Sequence, residues 1–201
     1  MKTTVKKRLT ALICALTAML ALTSCGGDDT ASGDGELNVT VSAAYVPDET
    51  LQSYADSFFA AHPEWEGQVE FTAQNMGSEE TDGTMYGAQV MQQSAAVAAG
   101  ELDIMICDES TAARGCRSEL FYTLDELFTE EEIAGFGETL SYEEVDTDGN
   151  PTGEMTPVCG VRLEDDQLDS IFGEDGAGIF IVANADIEQA KQLFLDLIAG
   201  S

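Results

Sequence analysis

Between Leu37 and Cys107 the spacing of apolar side chains switches back and forth between the period of a strand and the period of a helix. Leu37, Val39 and Val41 alternate, as in a strand with one buried face. Leu51, Tyr54, Ala55, Phe58 and Phe59 then follow the i, i+3, i+4, i+7, i+8 stripe of an amphipathic helix, with Asp48 as its candidate N-cap. This helix should stop near His62, because a residue that precedes proline, here Pro63, is pushed out of the helical region. Val69, Phe71 and Ala73 alternate again, and Gly77 to Gly83 reads as a polar, acidic loop. Met85 to Ala99 forms a second helical stretch, with Val90, Ser94 and Val97 beside Met91, Ala95 and Ala98. Gly100 suits the left-handed residue just past a helix end. Leu102 to Cys107 is then a third strand. Strands joined by helices through short links must run parallel, with right-handed crossovers.

Beyond Cys107 the pattern loses regularity. Thr129-Glu130-Glu131-Glu132 has the form of a capping box that opens a short helix through Ile133. Thr139 to Val145 and Met155 to Leu163 flank Asp146-Thr147-Asp148-Gly149-Asn150-Pro151 and read as a hairpin pair. Gly178 to Ala183 is a continuous apolar run suited to a strand covered on both faces. Asn184 or Asp186 caps a last helix that turns Ile187, Ala190, Phe194, Leu197 and Ile198 inward. The fold class expected is an α/β domain of three layers with a mixed, mainly parallel sheet.

The ends of the chain set its organisation. Lys2, Lys6, Lys7 and Arg8 precede an apolar run from Leu9 to Leu22, which is shorter than the ~20 residues of a spanning helix and reads as a signal peptide over residues 1–24. Leu22-Thr23-Ser24-Cys25 resembles a bacterial lipobox, in which Cys25 would be lipidated and become the mature N-terminus. Two acyl chains give stable anchoring where one gives only marginal binding. Residues 25–35, rich in Gly, Ser and Asp, are the expected flexible spacer, and residues 36–201 have the length of a single domain.

Removal of residues 1–24 takes away four of the 8 basic residues and none of the 38 acids, leaving a formal charge of −34. Such a balance disfavours nucleic acid and anionic lipid as partners, because phosphate binding is driven by Lys and Arg. It admits neutral and cationic ligands. Cys107, Cys116 and Cys159 are an odd set, so one disulfide at most can join two of them. Cys107 ends an apolar strand, as a small core residue does.

Motifs that carry catalysis are missing. There is no Gly-x-Ser-x-Gly elbow, Walker loop or His-Glu-x-x-His, and the single histidine, His62, sits at a predicted helix end where capping is its ordinary work. A chain without Cys-x-x-Cys and with one imidazole offers no obvious metal centre, and no cofactor is implied. Asp146 to Asn150 resembles a calcium loop only in part, since Pro151 replaces the required glycine. Gly135-Phe136-Gly137 and Gly176-Ala177-Gly178 lack the third glycine of a dinucleotide loop. Tyr45, Trp65, Tyr86 and Tyr122 could stack on a sugar or serve in packing.

Four stretches, taken in order, resemble the lipid-anchored extracellular solute-binding proteins of bacterial ABC importers, a family that often takes carbohydrates. They are the lipobox with its linker, LNVTVSAAYVPDETLQSYADSFFAAHPEWEGQVEF, MQQSAAVAAGELDIMICDES, and IFIVANADIEQAKQLFLDLIAG. Members of that family have two lobes with the ligand between them, whereas this chain has length for one. The resemblance implies a non-catalytic protein on the outer face of a bacterial membrane that captures a small neutral or cationic solute, most often a sugar, and delivers it to a permease. It implies cleft-facing residues at the strands' carboxyl ends, namely Tyr45, Asn75, Met76, Asp108 and Glu109. For Asp108 a capping role in the next turn is equally open. A surface lipoprotein whose half-cleft docks a protein partner or a second copy is the alternative.

Overall fold

The computed structural model describes residues 36–173 and 176–200; the expected signal segment, Cys25 lipidation site and spacer lie outside them. In chain order the elements are β1 (Leu37–Ala43), α1 (Asp48–Ala61), a 3-10 turn (Pro63–Trp65), β2 (Val69–Asn75), α2 (Glu79–Ala99), β3 (Ile104–Cys107) and α3 (Glu109–Arg117). There follow α4 (Leu124–Leu127), α5 (Glu130–Ile133), β4 (Thr139–Leu140), β5 (Glu143–Val145), β6 (Pro151–Met155), β7 (Gly160–Leu163), α6 (Asp169–Phe172), β8 (Ala177–Ile181) and α7 (Ile187–Ala199). Six strands form one sheet in the order β2-β1-β3-β8-β7-β4, while β5 and β6 pair only with each other.

The fold is α/β with a mixed sheet, but the expected parallel majority is wrong. Only the β1–β2 and β1–β3 pairs are parallel; β3–β8, β8–β7 and β7–β4 are antiparallel. A parallel return needs a crossover long enough to run back along the sheet. Between β7 and β8 the only helix is the four-residue α6, about 6 Å long, whereas the five-residue β8 extends about 17 Å. The chain therefore leaves β7 and enters β8 at the same edge.

Alternate side chains of the sheet enter two separate apolar clusters. Val39, Val41, Ile104, Ile106, Ile179 and Ile181 join Leu51, Tyr54 and Phe58 of α1 and Leu193, Phe194 and Leu197 of α7. Met105, Cys107, Phe180 and Val182 join Val97 of α2, Ala112 and Ala113 of α3, and Phe121. β8 is buried along its whole length, as its continuous apolar run predicts.

Local readings meet the structure unevenly. Gly100 adopts φ 71°, ψ 32° after α2, and Thr129 forms the predicted capping box with Glu132. Asp48 is not the cap of α1: Pro47 holds that position, and Asp48 is the first helical residue, where its charge still favours the helix dipole. The predicted loop before Met85 is helical from Glu79, with a break at Asp82 (φ −151°, ψ 77°). Ile187 is partly exposed rather than inward: it is in phase with Ala190, Phe194 and Leu197 but is the first residue of the helix. Residues 109–117, expected to be irregular, form a helix. Cys116 and Cys159 are joined in a disulfide, and Cys107 is free and buried.

Candidate functional site: an acidic cavity at the strand edge

Registers locate the site. Ala43, Asn75 and Cys107 end the three parallel strands at one edge, since Ala43 pairs with Asn75 and Ser42 with Cys107. Because β8 is antiparallel to β3, its beginning lies at that edge, with Gly178 opposite Cys107. Leu163, the end of β7, pairs with Ala177, and Thr139, the start of β4, pairs with Val161. The edge thus gathers the loops after β1, β2, β3 and β7 and those before β4 and β8.

A cavity of about 690 Å³ opens there, lined by the carboxylates of Glu109, Glu138, Glu164, Asp165, Asp166 and Asp169 and by the guanidinium of Arg162. Arg162 Nη2 lies 3.7 Å from Glu138 Oε1. Its stem passes over Gly176, where a Cβ would make only ordinary contact, 3.4 Å from Arg162 Cδ, but the backbone has φ +67°, which favours glycine. Asp165 shapes the loop: its Oδ1 accepts the N–H groups of Gln167 (2.8 Å) and Leu168 (3.2 Å). Gln167 in turn accepts from Ser53 Oγ and donates to Ser57 Oγ, which ties the loop to α1. Six carboxylates against one guanidinium favour a ligand with several positive charges. No aromatic ring among the described residues lines the cavity, so nothing there offers a stacking surface for a sugar.

The five residues expected at a cleft divide sharply. Glu109 lines the cavity. Asp108, its neighbour, is the N-cap of α3: its Oδ1 accepts from Thr111 N (2.8 Å) and Ser110 Oγ (2.8 Å). Asn75 Oδ1 accepts the Val46 N–H at 2.7 Å, fastening the turn after β1. Met76 is 2% exposed, which corrects its placement in a cleft; its N–H bonds Ala43 O, carrying the β1–β2 pairing one residue further and turning the apolar side chain inward. Tyr45 is 68% exposed at the same edge but does not line the cavity.

Of the other aromatic candidates, Trp65 is buried and donates its indole N–H to Asp196. Tyr86 lies under the Arg114 guanidinium, 5.6 Å from ring centroid to Cζ, and its hydroxyl accepts from the same group. Arg114 also reaches Gln93, whose Nε2 donates to Ser42 Oγ and Gln74 Oε1, so this polar network is structural. Tyr122 lines a second cavity of about 430 Å³ with Phe121, Pro157 and the Cys116–Cys159 bridge.

Most of the acidic lining escapes a linear reading. Glu164-Asp165-Asp166 follows directly on a predicted strand, but that strand's direction, which brings the run to the edge where β3 ends, has no local signal. His62 does not cap α1 with its side chain; the imidazole stacks on Phe58 and faces Glu64. No protein-family model, curated protein or solved structure matches the chain.

Proposed function

We propose that the protein is a membrane-tethered, extracellular solute-binding lipoprotein that captures a small cationic solute without chemistry, in the acidic cavity, for delivery to an ABC importer. One observation carries this reading: six acidic residues, Glu109 after β3 and five more from the segments before β4 and after β7, converge at the sheet edge where the parallel strands also end, the edge at which open α/β sheets hold ligands. The two clusters, with α1 and α7 in one and α2 and α3 in the other, support a three-layer domain resembling one lobe of the binding-protein family. The charge of the lining favours an amine over a sugar. Anchoring and the permease partner rest on the lipobox and the family resemblance; among the described residues no helix is long and apolar enough to cross a membrane.

A thermal-shift series tests the proposal, using putrescine, spermidine, lysine and calcium, with neutral sugars as the contrast. A ligand at 100 times its Kd stabilises by about 2.7 kcal/mol, or about 5–10 °C for a domain of this size. Amines should raise Tm at low salt, and Glu138→Gln with Asp166→Asn should cut the rise to about a third. Stabilisation by sugars alone, or by nothing, refutes the reading. The alternative, a partner-docking surface lipoprotein, is favoured by the β5–β6 ribbon, which exposes Val145 and Met155. Association lost on Met155→Ser, without any amine response, would support it.

A further inference from the structure

We infer that His62, Glu64 and Asp196 form a binding site for one first-row divalent cation of the zinc or copper type, separate from the acidic cavity. One donor atom from each lies within 4.8 Å of the other two, and none of the three lines that cavity.

The local chain explains how they meet. Residues two apart on a helix point to different sides. Pro63 ends α1, so His62 takes φ −128°, ψ 67° and the next three residues wind into the tighter 3-10 turn. This turn swings Glu64 back beside His62, with Oε1 3.6 Å from Nδ1. Two ligands held at about 2.1 Å from a tetrahedral zinc stand about 3.4 Å apart, so that pair is already close to the required edge.

Asp196 arrives from α7, and its carboxylate is oriented before any ion binds. Trp65 Nε1 donates to Oδ2 at 2.8 Å, and Gln192 Nε2 donates to Oδ1 and Oδ2 at 3.1 and 3.3 Å. A carboxylate has about four lone-pair sites, so these bonds leave one for a cation. Donors of this kind, behind the ligands, fix ligand direction in protein metal sites. The His62 ring is restrained as well, stacked on Phe58 with centroids 5.0 Å apart and planes at 27°.

The imidazole sets this group apart from the many carboxylate clusters of an acidic chain. Carboxylates alone suit calcium and magnesium, whereas nitrogen with oxygen donors suits zinc, copper and nickel. Three protein ligands leave a fourth position for water. The excess of acids over bases, a formal −30, raises the local concentration of any cation. A bound ion would also clasp the exit of α1 to the last helix.

Because the chain has one histidine, the test can be residue-specific. Untagged protein, freed of metal by chelation, is titrated with zinc by calorimetry and loaded with one equivalent of copper for pulsed electron spin resonance. One zinc site is expected, with the remote-nitrogen modulation of a single imidazole in the copper spectrum. His62→Gln should remove that modulation and weaken zinc at least tenfold. Glu64→Gln, at an exposed position that folding tolerates, should weaken it as well. Glu101→Gln, a remote exposed acid, should leave it unchanged, and circular dichroism confirms that each variant is folded. A spectrum with oxygen ligation only overturns the inference, as does zinc affinity that is the same in wild type, His62→Gln and Glu64→Gln. Failure of the amine series would not touch it, because the two tests share no residue.

Discussion

Adjacent acids with opposite duties make the sharpest test. Asp108 has extended backbone (φ −68°, ψ 165°) and its Oδ1 satisfies the Thr111 N–H, one of the amides that the first turn of α3 leaves without a helical partner. Truncating an Asp N-cap to alanine costs about 1 kcal/mol, within a span of 0.5–2. At about 2–4 °C per kcal/mol for a domain of this size, Asp108→Ala should lower Tm by roughly 1–8 °C. Spermidine affinity should stay unchanged, because the carboxylate is turned to the backbone. Glu109 is exposed and lines the cavity. Glu109→Gln loses only a favourable charge in the first helical turn, a few tenths of a kcal/mol, so Tm should move by less than about 2 °C. It removes the charge of one of the six acidic residues that line the proposed site, and one charge pair at about 4 Å in water is worth ~1 kcal/mol, so spermidine should bind roughly fivefold more weakly. Differential scanning calorimetry and isothermal titration on the same preparations separate the two effects. If Asp108→Ala weakens spermidine while leaving Tm alone, the cap assignment is wrong. If Glu109→Gln leaves the affinity intact, the acidic cavity is not the solute site.

The Cys116–Cys159 bridge closes a loop of 43 residues, for which chain entropy gives about 4 kcal/mol; the double alanine variant should melt about 8–16 °C lower, read by fluorimetry with and without dithiothreitol. Cys107 is buried and its thiol is pushed well above the usual range by burial, so a thiol reagent should modify it only after unfolding. Burial first, with the neighbouring Asp186 charge adding, raises the Asp103 carboxyl in the folded state, while its bonds from the Asn38 and Asp186 backbone oppose the shift. The folded protein then holds that proton more tightly than the unfolded chain, so ionisation costs stability above the folded pKa and costs nothing below the unfolded one. Asp103→Asn keeps an acceptor for the Asn38 N–H (2.8 Å) and should melt above wild type at pH 7, the advantage fading as pH falls through the carboxylate range. At Gly160 a Cβ would stand 2.3 Å from Phe180 Cε1 and 2.7 Å from Ile179 O. The Phe180 ring is fully buried and stacked on Phe121 at 4.5 Å, so Gly160→Ala should cost about 1–3 kcal/mol in urea unfolding.

How far such features can be read from residues alone depends on whether their cause is local. β1, α1, β2 and β3 announce themselves because large apolar side chains mark the period, and Gly100 because the turn after α2 needs a positive φ. α3 does not, for its buried side is built of Thr111, Ala112, Ala113 and Gly115, small residues that leave no hydrophobic stripe. Gly115 is small by necessity: a Cβ there would fall 2.2 Å from the Phe121 ring. The capping box at Thr129 and the hairpin about Asp146 to Asn150 are again local, closed by bonds within a few residues, such as Asp146 Oδ1 accepting the Asn150 N–H at 2.8 Å.

The candidate site fails the same criterion of locality. Its acids come from the start of α3, the strand entry before β4, and the segment after β7, and they meet only because β8 runs against β3 and β7 reverses again into β8, so that β7 ends at the edge where β3 ends. That reversal follows from the shortness of α6, not from any residue in the cavity. Asp108 and Glu109 differ by one methylene, and the shorter Asp is the better N-cap, but that preference alone does not locate the helix start. What separates them is one residue of register: the strand's extended backbone persists through 108 and the helix begins at 109. The first side chain is folded back onto its own turn, while the second is carried out over the edge. The helix start at 109 thus leaves the shorter acid, whose carboxylate reaches the amides of its own turn, at the N-cap and puts Glu109 in the cavity lining.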